Sequence, residues 1–384
     1  MKPVSIIDKA CICNLGADWP TVWRRLLRGH RVKVEHGEID SLLPANVAVA
    51  AVPNFARALD PECAGIGPSC QLAGQVLQRL TVHDVDAIYG ATNHGETDAI
   101  VALTRGLREP AISENTDRLL VAMEQDPVAR WAPRLGGFDM PASTWVYSAC
   151  TSGAHAAAFA SLRISRGAMD RAAVVAVDAV SSLATAGFSR ISATTTGTVP
   201  PMCAGSNGIL IGEGAVALVL SGAARPRDVA LLGFGMSCDA GHQIHPTKEG
   251  AQLEAAVRHA LAAAGRSAAS VVAVIAHGTG TPANDAMEAS VLERVFGRSA
   301  VPVTSVKGMT GHVMGASGLL NILVACEAIK AGMLPPTGGA DFTPLDGLDL
   351  VLGEARPIAI DGCIVSISSG FGGNHCAAVV GSLP

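Results

Sequence analysis

Aromatic side chains are scarce in this chain, 4% of 384 residues, and charged ones reach only 16%. So little charge beside 49% hydrophobic residues excludes a disordered or fibrous polymer. A basic surplus is lacking as well. The formal net charge is −5, which argues against nucleic-acid binding as the main task of the surface. No apolar run reaches the roughly 20 residues that span a bilayer. The opening residues, Met1 to Asp8, have neither the long apolar stretch nor the small-residue cleavage site of a secretory signal. The ten cysteines include no CxxC pair, and Cys11 and Cys13 stand too close for ordinary bridging. They read as reduced, mostly buried thiols, and the expected location is the cytoplasm. Cys and His spacings offer no metal site.

What is present in quantity is small residues. Alanine is frequent and there are 42 glycines, a composition suited to helices packed closely on buried strands. The length allows two domains or one large duplicated one.

Cys150 carries the most information. The run Val146-Tyr147-Ser148-Ala149-Cys150-Thr151-Ser152-Gly153-Ala154 passes from β-branched and aromatic residues to small ones. Ser143 to Ser148 read as a buried strand and Thr151 to Arg166 as an alanine-rich helix. A cysteine at that turn lies near the free N–H groups of a helix start, where partial positive charge favours thiolate, the nucleophilic form. The alternative is a cysteine that is merely buried, as free cysteines often are.

The chain reads as a duplication. Asp86 to Gly95 and Val271 to Thr281 each run from a strand into a polar loop. Each is followed by a helix, near Thr97 to Leu107 and near Asn284 to Val295. The helix after Cys150 has a counterpart opening at Gly311-His312-Val313-Met314-Gly315-Ala316-Ser317-Gly318 and ending near Ala331. Val4 to Ile12 matches Val229 to Met236. Alternating strands and helices imply mixed, mostly parallel sheets in an α/β/α/β/α stack. The seam falls at Arg225-Pro226-Arg227-Asp228, giving halves 1–226, with the cysteine, and 227–384. Little is assigned between Glu35 and Trp131.

His277 ends an apolar strand before Gly278-Thr279-Gly280-Thr281, and His312 follows Ser305-Val306-Lys307-Gly308-Met309-Thr310-Gly311. Either alone reads as a structural histidine. Two at strand ends of one half, with Cys150 from the other, fit carbon–carbon bond formation on thioesters. The thiolate holds an acyl group, and two imidazole N–H groups stabilise an enolate oxygen. A cysteine-dependent thioester hydrolase is the competing chemistry, but it needs only one base.

These residues resemble the β-ketoacyl-[acyl-carrier-protein] synthase family, of the elongating Cys-His-His type within the thiolase fold. The likeness rests on Ala149-Cys150-Thr151-Ser152-Gly153, Ala276-His277-Gly278-Thr279-Gly280-Thr281 with Asn284, Asp285 and Glu288, and Ser305-Val306-Lys307 with Gly311-His312. Gly370-Phe371-Gly372-Gly373-Asn374 and Gly212-Glu213-Gly214-Ala215 extend it. It implies that Cys150 is the acyl acceptor and that His277 and His312 stabilise a carbanion formed by decarboxylation of a malonyl thioester. It further implies that Lys307 supports His312 and pairs with Glu288. The N–H groups of Cys150 and Phe371 would form the oxyanion hole, with Phe371 the gate of the acyl pocket. Thr279 and Thr281 would hold a phosphopantetheine arm.

No bound cofactor is implied, because that arm arrives on an acyl carrier protein. The expected partners are that carrier and a second ketosynthase-like chain, in a homodimer or heterodimer, in fatty-acid or polyketide-type synthesis. A catalytically silent chain-length subunit is an alternative within the family. Such subunits usually lack the nucleophile, and Cys150 is present. Arg24, Arg25, Arg28, Arg31 and Lys33 form a basic face, either a carrier dock or a solvated surface. Two stretches depart from the family pattern. Cys203-Ala204-Gly205-Ser206-Asn207-Gly208 stands where an acidic-Arg-acidic run is usual, and Asn374-His375 where Thr-Asn is usual.

Overall fold

The computed structural model describes residues 1–31, 35–36, 48–55, 66–109, 113, 116, 120, 126–139, 142–195 and 199–384. Lys33 of the basic face lies outside the described residues. The large sheet contains β1 (Val4–Cys13), β2 (Ala87–Ala91), β3 (Ala142–Val146), β4 (Arg171–Asp178), β5 (Gly214–Ser221) and β6 (Val229–Cys238). It continues with β7 (Val271–Ile275), β8 (Pro302–Thr304), β9 (Asp349–Leu350), β10 (Cys363–Gly370) and β11 (Asn374–Ser382). Their spatial order is β9-β8-β7-β10-β11-β6-β1-β5-β4-β2-β3.

Two sets of five strands meet where β1 and β6 pair, with Ser5 opposite Ala230. Reading outward from that junction, β1-β5-β4-β2-β3 and β6-β11-β10-β7-β8 follow the same pattern. Each has two antiparallel pairs and then two parallel ones. Mostly parallel pairing, expected from the strand–helix alternation, therefore holds only for the outer strands and is corrected for the centre. One cause is local: Phe371-Gly372-Gly373 joins β10 to β11, too few residues for a crossover, so the pair must be antiparallel.

The helices divide into three layers. The middle layer is α5 (Ser152–Ser165) and α9 (Ser317–Ala331), in one apolar cluster with strand residues of both sets, such as Val174, Leu218, Ile275 and Ile364. α2 (Pro68–Gln78) and α4 (Pro127–Leu135) cover the opposite face of the first set, against Ile88, Val175 and Val219. α7 (Ala251–Ala263) and α8 (Pro282–Phe296) cover the second set, against Val274, Val365 and Val379. Strand residues alternate between clusters, as the two-residue period of a strand buried on both faces requires.

Small residues set the spacing of the middle layer. A Cβ on Gly153 would lie 2.9 Å from the Gly315 carbonyl oxygen and 3.0 Å from Leu319 Cβ. A Cβ on Gly318 would lie 2.9 Å from Ala154 Cβ. The two helices thus approach closely with both N-termini side by side. Among the described residues, Met314–Ala331 is long and apolar enough to cross a membrane, and it is this core helix, 83% buried.

Candidate active site

Cys150 stands at the tip of the first strand set, between β3 and α5. Ala149 before it adopts φ +48°, a left-handed conformation that few alanines take, so the chain reverses sharply and offers the next side chain to the pocket. Ser148 and Ser152 secure the turn: Ser148 N–H donates to Ser152 Oγ (2.8 Å), and Ser152 Oγ donates to the Ala149 carbonyl (2.6 Å). The thiol is 7% exposed. Burial pushes it up to about 12, against the lowering effect of the nearby Lys307 charge and of its own backbone N–H. Burial thus opposes the helix-end field that favours thiolate, and the two act on the same sulfur. Below its pKa the thiolate fraction rises tenfold per pH unit. Alkylation of Cys150 by iodoacetamide is therefore expected to keep accelerating from pH 7 to pH 9, measured by intact mass against time. A plateau below pH 8 would contradict the assignment.

The second set brings two histidines to the same pocket, which is lined by Cys150, His277, Thr279, Thr281, His312 and Phe371 among others. The imidazole rings of His277 and His312 stand edge to face with centroids 5.5 Å apart. His312 Nδ1 accepts from the Met314 N–H (3.1 Å) and lies 2.9 Å from Ser317 Oγ. A backbone N–H only donates, so the neutral ring carries its hydrogen on Nε2, which is buried and has no protein partner. His277 Nδ1 lies 3.4 Å from Lys307 Nζ, an ammonium that also only donates, and the same tautomer follows. Burial first, and the charge of Lys307 second, hold both rings well below the ordinary imidazole value. Both are neutral at pH 7.

The His277 loop is held by carboxylates. Glu288 accepts the N–H groups of His277 (2.6 Å) and Gly278 (2.8 Å). Asp285 accepts those of Thr279 (3.0 Å) and Gly280 (3.1 Å). Gly280 needs its freedom: its φ is +83°, and a Cβ would lie 2.6 Å from the Gly208 carbonyl oxygen. One turn of α8 separates the two carboxylates, which places both under the loop. Glu288 thus spends its oxygens on backbone donors, and burial raises it to about 7. Lys307 is fully enclosed and burial lowers it to about 8; its ammonium donates to the His277 carbonyl oxygen. Among the described ion pairs none joins Lys307 directly to Glu288, yet each charge favours the other's ionised form. The direct contact of Lys307 is with His277, and its charge acts on His312 as well.

Phe371 sits at the turn after β10, its ring 5.6 Å from that of Phe188 on α6 (Ser182–Arg190). A Cβ on Gly370 would lie 3.2 Å from the Cys150 nitrogen, so this turn runs beside the Cys150 amide. Thr279 Oγ1 and Thr281 Oγ1 are 2.9 Å apart on the pocket wall. On the basic face, Arg25 turns inward to the Leu15 carbonyl and Arg31 pairs with Asp341 (3.1 Å), while Arg24 and Arg28 stay exposed.

Two site residues received no role from the sequence: His375, noted there only as a departure from the usual pattern, and Asp178. His375 lines the pocket. Asp178, wholly buried at the end of β4, accepts from Thr92 Oγ1 (2.7 Å), the N–H groups of Asn93 (2.9 Å) and His94 (2.9 Å), and the Gly315 N–H (2.6 Å). It ties the loop after β2 to the start of α9 beside His312. The available signal was a lone carboxylate closing the apolar run of β4. Asp178→Ala leaves these buried donors unpaired and is expected to cost roughly 3 kcal/mol or more, seen as a lower denaturation midpoint. A change under about 1 kcal/mol would remove the carboxylate from this role.

The paired five-strand sets around a central helix layer define a thiolase-like fold. The Beta-ketoacyl synthase, N-terminal domain matches residues 137–225 and the Beta-ketoacyl synthase, C-terminal domain matches residues 229–341, together more than half of the chain. The 3-oxoacyl-[acyl-carrier-protein] synthase 2 of Coxiella burnetii is 34% identical over 252 residues, 61% of this chain and 60% of that protein. The tetracenomycin polyketide synthase ketoacyl synthase alpha subunit of Streptomyces glaucescens is 34% identical over 253 residues, 62% of this chain and 59% of that protein. The matched segment thus spans about 60% of these curated relatives. A chain of the ishigamide ketosynthase/chain length factor structure superposes over 100% of both chains with a TM-score of 0.86 and 26% identity. The chain belongs to the β-ketoacyl synthase family.

Proposed function

We infer that the protein is a β-ketoacyl synthase that joins an acyl group on Cys150 to a malonyl-carrier-protein thioester with loss of carbon dioxide. The observation that carries this is the tautomer pair. With each Nδ1 facing a donor, His277 and His312 both offer an Nε2–H, two donors for one developing oxyanion. A thioester hydrolase would need an imidazole with a free Nε2 lone pair to deprotonate water, and neither ring has one.

The reaction then runs in two stages. Cys150 sulfur attacks the acyl thioester, the carrier thiol departs with the cysteine's proton, and the acyl group stays on sulfur. The N–H groups of Cys150 and Phe371 are the proposed donors to that tetrahedral oxyanion. Next the malonyl thioester enters, its arm held by Thr279 and Thr281, with its carbonyl oxygen at His277 and His312. The bond to the carboxylate breaks, its electron pair forms the enolate, and carbon dioxide leaves. The enolate carbon attacks the Cys150 thioester, the carbon–sulfur bond breaks, and the departing thiolate takes from water the one proton the cycle consumes. Lys307, charged below about pH 8, adds positive potential beneath His277. No resident cofactor is called for, and the phosphopantetheine arrives with the carrier.

We also propose the division of the chain into halves 1–226 and 227–384, and pairing with a second ketosynthase-like chain. The edge strand β3 supports the pairing: its residues are exposed or half-buried, and Tyr147, Phe159 and Leu162 expose 53%, 40% and 38% of their surface. The likeness to a ketosynthase/chain length factor structure supports a heterodimer as the first arrangement to test. Exposed Arg24 and Arg28 are the proposed remnant of a dock for an acidic carrier. The described cysteines are all unbridged, which supports a reducing, cytoplasmic setting. The test is reconstitution with acyl- and malonyl-carrier thioesters: one carbon dioxide released per β-ketoacyl product supports the reading, and free acid released without a β-keto product overturns it.

A further inference from the structure

His375 has no role in the steps above, yet it is built into the same pocket. It lies at the start of β11, opposite Ser369 in the ladder with β10. It is 2% exposed. Its Nδ1 is 2.9 Å from Ser369 Oγ, while its Nε2 is buried without a partner among the described residues. The ring lines the cavity with Cys150, His277 and His312. Buried nitrogen atoms rarely go unpaired, because losing water without gaining a partner is costly.

The chemistry of a malonyl thioester indicates which atom. It carries two polar groups, the thioester carbonyl and the carboxylate. His277 and His312 are committed to the first. Lys307 is turned away from the cavity onto His277. Among the described residues that line the pocket, the buried unpartnered nitrogens are His312 Nε2 and His375 Nε2. In the tautomer this proposal requires, Ser369 O–H donates to Nδ1 and His375 presents an Nε2–H. We propose that His375 Nε2 holds the carboxylate of the malonyl unit until it leaves as carbon dioxide, and so selects a carboxylated extender. This assignment rests on the condensation reading and makes His375 a substrate-binding residue.

The experiment compares His375→Leu with His375→Gln, which keeps a donor. In wild-type background, acylation of Cys150 needs no carboxylate and is read by intact mass. In Cys150→Gln background, decarboxylation of malonyl-carrier protein is followed by carbon dioxide release. His375→Leu is expected to retain acylation but to raise the KM for malonyl-carrier protein roughly tenfold or more, with a smaller change in kcat. His375→Gln is expected to recover most of that KM. An unchanged KM in a His375→Leu protein that still acylates overturns the proposal. Should His375→Leu fail to fold, the ¹⁵N resonance of His375 Nε2 in the folded Cys150→Gln protein decides. It is expected to shift on adding a malonyl-pantetheine amide analogue, and no shift overturns the proposal. If wild type neither acylates nor decarboxylates, the condensation reading itself has failed, which is a different result.

Discussion

Cys150→Ala is expected to take up no acyl group and to lose condensation by on the order of 10⁴-fold or more, whereas Cys150→Gln is expected to keep decarboxylating malonyl-carrier protein. The two substitutions separate the two stages. Alanine removes the sulfur that must bond the acyl carbon, and no neighbouring side chain replaces it: Ser148 and Ser152 spend their hydroxyls on the turn itself. Glutamine fills the site with an uncharged amide of about the size of an acylated cysteine head. The histidine pair then experiences the occupied state, and carbon–carbon cleavage proceeds without an electrophile to trap the enolate. Product formation and carbon dioxide release, measured side by side, report the uncoupling. Condensation at wild-type rate in Cys150→Ala would leave the thiol without a function.

His312→Ala is expected to keep the first stage and lose the second. Its Nε2–H faces the cavity from a ring fixed by the Met314 N–H and Ser317 Oγ, so its donor position is set before substrate arrives. Removing one preorganised donor to an oxyanion costs roughly 10² to 10³ in rate. Acyl-Cys150 should therefore accumulate with the carrier thioester, while β-ketoacyl product falls by about that factor. Equal losses in both stages would mean that His312 acts on Cys150 instead of on the enolate. Lys307 is held low, at about 8, so its charge is present below that pH and is lost as pH rises through it. Its support for the neutral Nε2–H tautomer of His277 disappears with it.

Much of the frame was legible because its signals were local. Apolar runs ending in glycine-rich loops marked β2, β7 and the helices after them. The Cys150 helix spans Ser152–Ser165 against an expected Thr151 to Arg166. Antiparallel pairing in the sheet centre was hidden because strand direction depends on partners far apart in sequence, as with Ile12 opposite Ala215. α2 and α4 went unassigned for a different reason. α2 buries most of its surface and so has no single apolar stripe, and α4 carries Pro133 inside it, which reads as a break.

The site divides along the same line. Cys150, His277 and His312 sit in loops whose composition announces them. What surrounds them does not: Lys307 reaches His277 across 30 positions, and Asp178 reaches Gly315 across 137. The thiol's burial is equally non-local, and it opposes the effect expected from the helix end alone. Motif spacing carries the identity of the reacting groups, while their protonation depends on neighbours that only the fold supplies.

The most direct measurement is peptide-resolved mass spectrometry of the protein after exposure to acyl-carrier-protein thioesters of graded chain length. A single acyl adduct on the peptide holding Cys150, discharged when malonyl-carrier protein is added, is the predicted result. An adduct on another residue, or one on Cys150 that malonyl-carrier protein leaves in place while water removes it, would contradict the account.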